Sequence, residues 1–282
     1  MRARKCAGAA LTLLLPLAMG LPGPSRGAET ITWMSFDLPP VYIQDGPLAG
    51  QGVGDGQQIY LRDHLPDFEH RERQADISRL WYDIKNSPTI CATDVYRNEE
   101  REKSALFSQH ATLVPGYRLV ALADRRADFA PYEDGEGKVD LDALSRAAGL
   151  RGAFVGGRVH DGKIDHLLQE KDRAVTLDSV TKGILLYNLL VNKRVDFIFA
   201  APAEIIYYKT ILKTEEEVAV FPIAGGRDFL PMYTACSRTE AGERVIAAVD
   251  RLLADQKNWR NFLSPLARWA APSDFNNALA PK

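Results

Sequence analysis

TICATDVYRNEEREKSALFS, residues 89–108, carries more of the fold than any other stretch of the chain. Residues 89–96 form a short run rich in β-branched and apolar side chains, the composition of a strand. A polar turn follows, then Arg101 and Lys103, then Phe107-Ser108. Guanidinium stays charged in any protein environment and grips a carboxylate through two parallel hydrogen bonds. An arginine just past a strand end is therefore a candidate anion clamp. The same residues also read as a plain surface charge run, Glu99 to Lys103, capping a helix.

Outward from this strand, short apolar runs alternate with helical stretches. The pattern predicts strands over 29–36 and 70–77, a glycine-rich loop over 46–56, and helices over 57–65 and 79–85, the latter capped by Ser78. A further strand is expected at 117–123. A charged stretch, 124–138, breaks the pattern, and the alternation then restarts. Helices are expected over 141–148, 162–171, 178–193 and 203–212, and strands over 152–156, 174–177, 195–200 and 218–222. Residues 229–236 are β-prone, and helices over 241–253 and around 259–269 close the chain. This spacing predicts an α/β fold built on mostly parallel sheets flanked by helices. Composition shifts near 124 and 226 divide it into 29–123, 124–225 and 226–282, the last piece completing the first unit.

Residues 1–28 read as a signal peptide. Arg2, Arg4 and Lys5 precede an apolar core over 6–20, followed by small and helix-breaking residues. The core is too short for a membrane span, so the expected location is exported and periplasmic. Removing Arg2, Arg4, Lys5 and Arg26 leaves 31 basic against 37 acidic residues, a net charge of about −6. That argues against nucleic acid and anionic lipid as partners. Cys91 and Cys236 remain, and an even pair in an oxidising compartment points to a disulfide, with two buried thiols as the alternative. The chain has no Gly-x-Ser-x-Gly, zinc-protease helix or phosphate loop, and no recognisable pair of catalytic carboxylates. Neither catalysis nor a cofactor is expected. His160, Asp161, Asp165 and His166 cluster, but at no metal-ligand spacing.

The strand at 89–96, Arg101 and Phe107-Ser108 together resemble the strand, Thr-x-x-Arg, Phe-Ser signature of the family 3 bacterial extracellular solute-binding proteins. Lys193-Arg-Val-Asp-Phe-Ile-Phe-Ala resembles a strand entry of the same family. Cys91, TACSRT at 234–239, GGRVHDGKID at 156–165 and Trp259-x-x-Phe262 are similar to a proteobacterial offshoot of it. The resemblance implies a two-lobed periplasmic-binding-protein type II fold with two hinge crossings, at 117–123 and 229–236, paired with each other. It also implies that Arg101 clamps a ligand carboxylate between the lobes, and that Cys91 and Cys236, on strands close together in that fold, are bonded.

One departure bears on the ligand. The aspartate that pairs with a bound ammonium group in this family falls at Ala200 or Ala201 here, and Glu204 lies a turn further on. A desolvated ammonium without a partner costs several kcal/mol, so the expected ligand bears a carboxylate without being a standard amino acid. Further ligand-binding candidates are Phe36 and Tyr42 near the end of the first strand, and Tyr96 in the clamp turn. Gly157 and Arg158 are added because they precede a helix whose N-terminus offers N–H groups to an anion. Aromatics at such positions also serve as core, and glycines as turns. The implied function is a monomeric solute-binding protein feeding an ABC-type membrane permease. The alternatives are a periplasmic ligand sensor or accessory module and, less favoured, a small exported enzyme.

Overall fold

The computed structural model describes residues 28–279, so all but the last residue of the stretch 1–28, read as signal peptide, lies outside the described residues. The first lobe begins with β1 (Glu29–Ser35), α1 (Val53–His64), β2 (Phe68–Gln74), α2 (Ile77–Asn86), β3 (Ile90–Tyr96), the short α3 (Glu99–Glu102) and β4 (Ala105–Pro115). The second lobe follows with β5 (Arg118–Leu122), α4 (Leu141–Ser145), β6 (Arg151–Val155), α5 (Gly162–Gln169), β7 (Thr176–Val180), α6 (Gly183–Val191), β8 (Phe197–Ala200), α7 (Pro202–Leu212) and β9 (Val218–Phe221). The chain then returns through β10 (Phe229–Ser237), α8 (Glu240–Leu253), α9 (Gln256–Leu263) and α10 (Pro272–Leu279). Among the described residues, no helix is long and apolar enough to cross a membrane.

Each lobe holds one five-stranded sheet, ordered β2-β1-β3-β10-β4 and β7-β6-β8-β5-β9. The sheets are mixed rather than mostly parallel. In the first, β1 pairs in parallel with β2 and β3, while β10 runs antiparallel to β3 and β4. The second repeats this arrangement, with β6 parallel to β7 and β8 and β5 antiparallel to β8 and β9. Strands joined through a helix must return to the same end and so lie parallel. The strands that cross between lobes escape that constraint.

The two crossing strands do not pair with each other. β5 belongs to the second sheet and β10 to the first. The change of sheet therefore falls at Gly116–Tyr117, ahead of the strand expected to carry it, because Leu119, Val120 and Ala121 are fully buried within the second lobe. At the crossing, Arg118 gathers both segments. Its Nη1 donates to the Gly116 and Tyr117 carbonyls at 3.2 and 3.0 Å, and its Nη2 to the Asp228 carbonyl at 3.0 Å. The segments approach so closely that a Cβ on Gly116 would sit 2.1 Å from the Arg227 carbonyl oxygen.

Other expectations shift locally. β4 is an eleven-residue strand hidden in the sequence because Ser108, Gln109 and His110 interrupt its apolar run. There β4 bulges against β10, the pairing stepping from Phe107↔Ala235 to Ala111↔Tyr233. Asp178 to Val180 extends β7 instead of opening the next helix, and Asp178 pairs with Arg151 across the sheet at 2.5 Å. Asp76, not Ser78, caps α2, its carboxylate accepting from the Arg79 N–H at 2.8 Å.

Cys91 and Cys236 lie directly opposite in the antiparallel β3–β10 pair and form a disulfide, with S–S 2.05 Å and Cα–Cα 4.1 Å. The bond joins the two central strands of the first sheet within a core that includes Ile31, Trp33, Leu61 and Val245.

Candidate functional site

The parallel strands β1 and β3 end on one edge of the first sheet, and β6, β7 and β8 on one edge of the second. Lys182, just past β7, pairs with Asp37, just past β1, at 3.1 Å, so these edges face each other. Ligands of open α/β sheets bind outside the carboxyl ends of the strands, and the candidate site is this interlobe cleft.

On the first-lobe side, Asn98 caps α3, its amide oxygen accepting from the Arg101 N–H at 2.9 Å. That holds the Arg101 guanidinium against Tyr96, where Nη1 donates to the Tyr96 carbonyl at 2.6 Å. The guanidinium lies over the Trp81 ring, 4.2 Å from its centroid. Burial lowers the pKa of Arg101 relative to an ordinary arginine. No carboxylate pairs with it among the described residues. The guanidinium is thus half-buried on an indole with most of its donors unused. Trp81 was not singled out in the sequence, since an aromatic on α2 has no local signal of this role.

Tyr96 also meets the hinge, its hydroxyl accepting from Arg227 Nη1 at 3.0 Å. Phe36 and Tyr42 pack together at 5.0 Å between ring centroids, but both are inside the first-lobe core. The Tyr42 hydroxyl donates to the Thr93 carbonyl at 2.7 Å and accepts from the Thr93 N–H and from Gln58 Nε2, at 3.0 and 2.9 Å. One donor and two acceptor sites are thereby filled. Tyr42 is left with no hydrogen bond for a ligand and acts as a brace beneath the cleft.

Asp94 is the residue of this wall that sequence reasoning missed, although a carboxylate inside an apolar strand was its signal. It sits at φ 54° where β3 bulges against β10. Its Oδ1 is buried without a partner, and burial alone pushes the carboxyl up to about 7.

The second-lobe wall is different. Gly157 takes a positive φ of 74° in the turn after β6, with open space where a Cβ would stand. Arg158 Nη1 pairs with Glu204 at 2.5 Å, and Glu204 also accepts from Tyr208 at 3.2 Å and from the Ala201 N–H at 2.9 Å. Burial by itself would depress the Arg158 pKa, but Glu204 and the phenols of Tyr117 and Tyr208 hold it above the ordinary value. The helix start expected to receive an anion is already occupied. Asp161 caps α5, accepting from the Lys163 and Ile164 N–H groups at 3.0 and 3.1 Å. His160 is buried against Tyr117, ring centroids 4.8 Å apart, and burial lowers its pKa. No group of three metal-ligating side chains converges among the described residues.

The structure thus brings Arg101 to Tyr96 and Phe36 to Tyr42, and sets Gly157 and Arg158 on the opposite lobe. Among the described residues, no hydrogen bond or ion pair joins Arg101 to Arg158 or Glu204. Two surface grooves of about 550 and 460 Å³ lie elsewhere on the second lobe, along α6 and beside the loop before β7, and neither touches Arg101 or Arg158.

This architecture matches known structures. The chain superposes on a probable amino-acid ABC transporter extracellular-binding protein from Bacillus subtilis with a TM-score of 0.62 at 14% identity, covering 86% of this chain and 99% of that one. The fold is the two-lobed periplasmic-binding-protein type II fold. A histidine kinase sensor domain with similarity to periplasmic binding proteins matches nearly as well, with a TM-score of 0.60 at 17% identity over 86% of this chain and 96% of that one. An ancestral amino acid-binding protein, a precursor of cyclohexadienyl dehydratase, matches with a TM-score of 0.61 at 14% identity over 85% of this chain and 94% of that one. No family model matches the chain, and no curated protein is similar to it in sequence.

Proposed function

We propose that this is an exported, periplasmic solute-binding protein whose cleft holds a small carboxylate-bearing ligand for an ABC-type transporter. The observation that carries the reading is Arg101. It is half-buried, stacked on Trp81 and without a carboxylate partner, at the cleft edge of a fold shared with transporter-associated binding proteins. A ligand carboxylate would supply the counter-charge and take up the free donors. Phe36 and Tyr42 act behind the wall, and Tyr96 positions the clamp through its carbonyl. Gly157 and Arg158 form the opposing wall, where Glu204 neutralises the Arg158 guanidinium and leaves the ligand charge to Arg101.

The sensor reading is kept because the chain resembles a sensor domain about as closely as it does a transporter component. Purified protein mixed with a panel of small carboxylates, followed by thermal shift and calorimetry, tests the common core of both readings. At least one carboxylate should bind, and Arg101→Ala should weaken it. If no carboxylate binds, or if Arg101→Ala binds as well as the unaltered protein, the reading fails. Co-purification with a permease as against a receptor then separates transport from sensing. Turnover of a bound acid would move the protein to the enzyme reading that the dehydratase precursor keeps open.

A further inference from the structure

Leu266, Trp269 and Ala278, from the C-terminal end of the first lobe, belong to the same buried apolar cluster as Ile205, Tyr207 and Leu186 of the second. Trp269 is 1% exposed and Tyr207 8%. Their rings meet edge to face with centroids 5.6 Å apart, each covering the other. Trp269 is anchored to its own lobe, its indole N–H donating to the Gln51 carbonyl at 2.9 Å. Among the described residues Tyr207 has no such hydrogen-bonded anchor, and burial, with the Asp37 carboxylate across the cleft, raises its pKa. Asp37 in turn pairs with Lys182. An aromatic pair and an ion pair therefore cross from lobe to lobe, and the shared apolar core they adjoin reaches back to Val114 and Val120 on either side of the first covalent crossing.

Two lobes that open freely about a hinge would expose these groups to water at every opening. Aromatic side chains bury about 150–250 Å² each, so an open form would leave an apolar patch of the kind soluble monomers rarely expose without function. An exposed ion pair such as Lys182–Asp37 holds little by itself, so the aromatic contact dominates.

We propose that the C-terminal segment 264–279 is an interlobe latch that keeps the lobes closed without ligand, by seating Trp269 against Tyr207. The hinge then moves only when the latch is released. Ligand entry is limited by that release rather than by free rocking of the lobes. The inference holds whatever the ligand is, since every contact in it lies within the protein.

The test uses ligand-free protein and small-angle scattering. The unaltered chain should scatter as the closed form, with a radius of gyration near the ~18 Å of a compact chain of this length. Tyr207→Ala and Trp269→Ala remove the contact from opposite lobes, and each should raise the radius of gyration. Both should increase amide exchange in α7 at least tenfold while β3 and β10 of the first lobe and β6 and β8 of the second keep their protection, which shows that the lobes themselves stay folded. If Trp269→Ala loses the first lobe as well, Tyr207→Ala alone decides. Asp37→Asn should leave the scattering unchanged. Ligand-free protein already expanded, a Tyr207→Ala form as compact as the original, or expansion on Asp37→Asn alone would each overturn the latch.

Discussion

The two cleft arginines make the sharpest contrast in the molecule. Arg101, on the first lobe, rests on Trp81 with one carbonyl bond and no counter-ion. Arg158, on the second, is closed into Glu204, which is itself held by Tyr208 and a backbone N–H. The lobes differ in the same sense. The first is covalently tied through Cys91–Cys236 and can carry unsatisfied charge at its edge. The second has no cysteine and consumes its buried charges internally. A desolvated cation with free donors can still accept a counter-charge, whereas the same cation beside a fixed carboxylate already has one.

The largest effect expected from breaking this contrast is in the first lobe. Replacing Cys91 and Cys236 together by alanine opens a loop of 145 residues in sequence. In the chain-entropy model that costs about 5 kcal/mol, read as a lower denaturation midpoint in non-reducing buffer. A loss confined to the first lobe's amide protection would show that the lobes are stabilised separately.

Glu204→Gln should come next. It leaves Arg158 buried beside a neutral amide, and breaking one side of a buried pair costs about 3 kcal/mol or more. Urea unfolding measures it, and the double change Arg158→Met with Glu204→Leu should recover most of the loss. Failure of the single change to destabilise would mean that Arg158 is free for ligand, like Arg101.

Asp94 gives a pH test of similar size in the first lobe. Its carboxyl titrates at about 7 when folded, against an ordinary value of 3.8. Between those values the folded chain binds the proton more readily than the unfolded chain. Stability from this group is therefore greatest below about pH 4 and falls as pH rises to about 7, by on the order of 4 kcal/mol. Asp94→Asn should be near neutral at pH 4 and stabilising at pH 8, measured by melting temperature. An unchanged difference across that range would place a cation or water beside the carboxylate.

Arg101→Ala should show the smallest change in stability and the clearest change in binding. Affinity for a carboxylate that raises the melting temperature of the original should drop more than tenfold, about 1.4 kcal/mol, with the ligand-free melting temperature nearly unchanged. Arg101→Lys should not restore binding, since an ammonium lacks the planar fork.

Much of this was legible in the chain itself. The alternation of apolar runs with helical stretches and the cysteine pair are local or compositional signals, and both survive in the fold. β1, β3 and β5 fall within a residue or two of expectation, because β-branched runs bounded by turns depend little on their neighbours. β4 did not announce itself, because its strand conformation is imposed by β10 across a bulge while its own residues Ser108, Gln109 and His110 read as loop.

Sequence alone therefore determined most of the strands and helices and which charged side chains stand near them. Tertiary structure decided which charges remain available. Arg101 and Arg158 look alike as residues, and only packing places Glu204 against one and Trp81 against the other. Burial and pairing are properties of neighbours brought together from distant parts of the chain. Tyr42 passed from ligand wall to core brace, Asp161 closed the helix start meant for an anion, and Trp269 came to rest on the other lobe, all for that same reason.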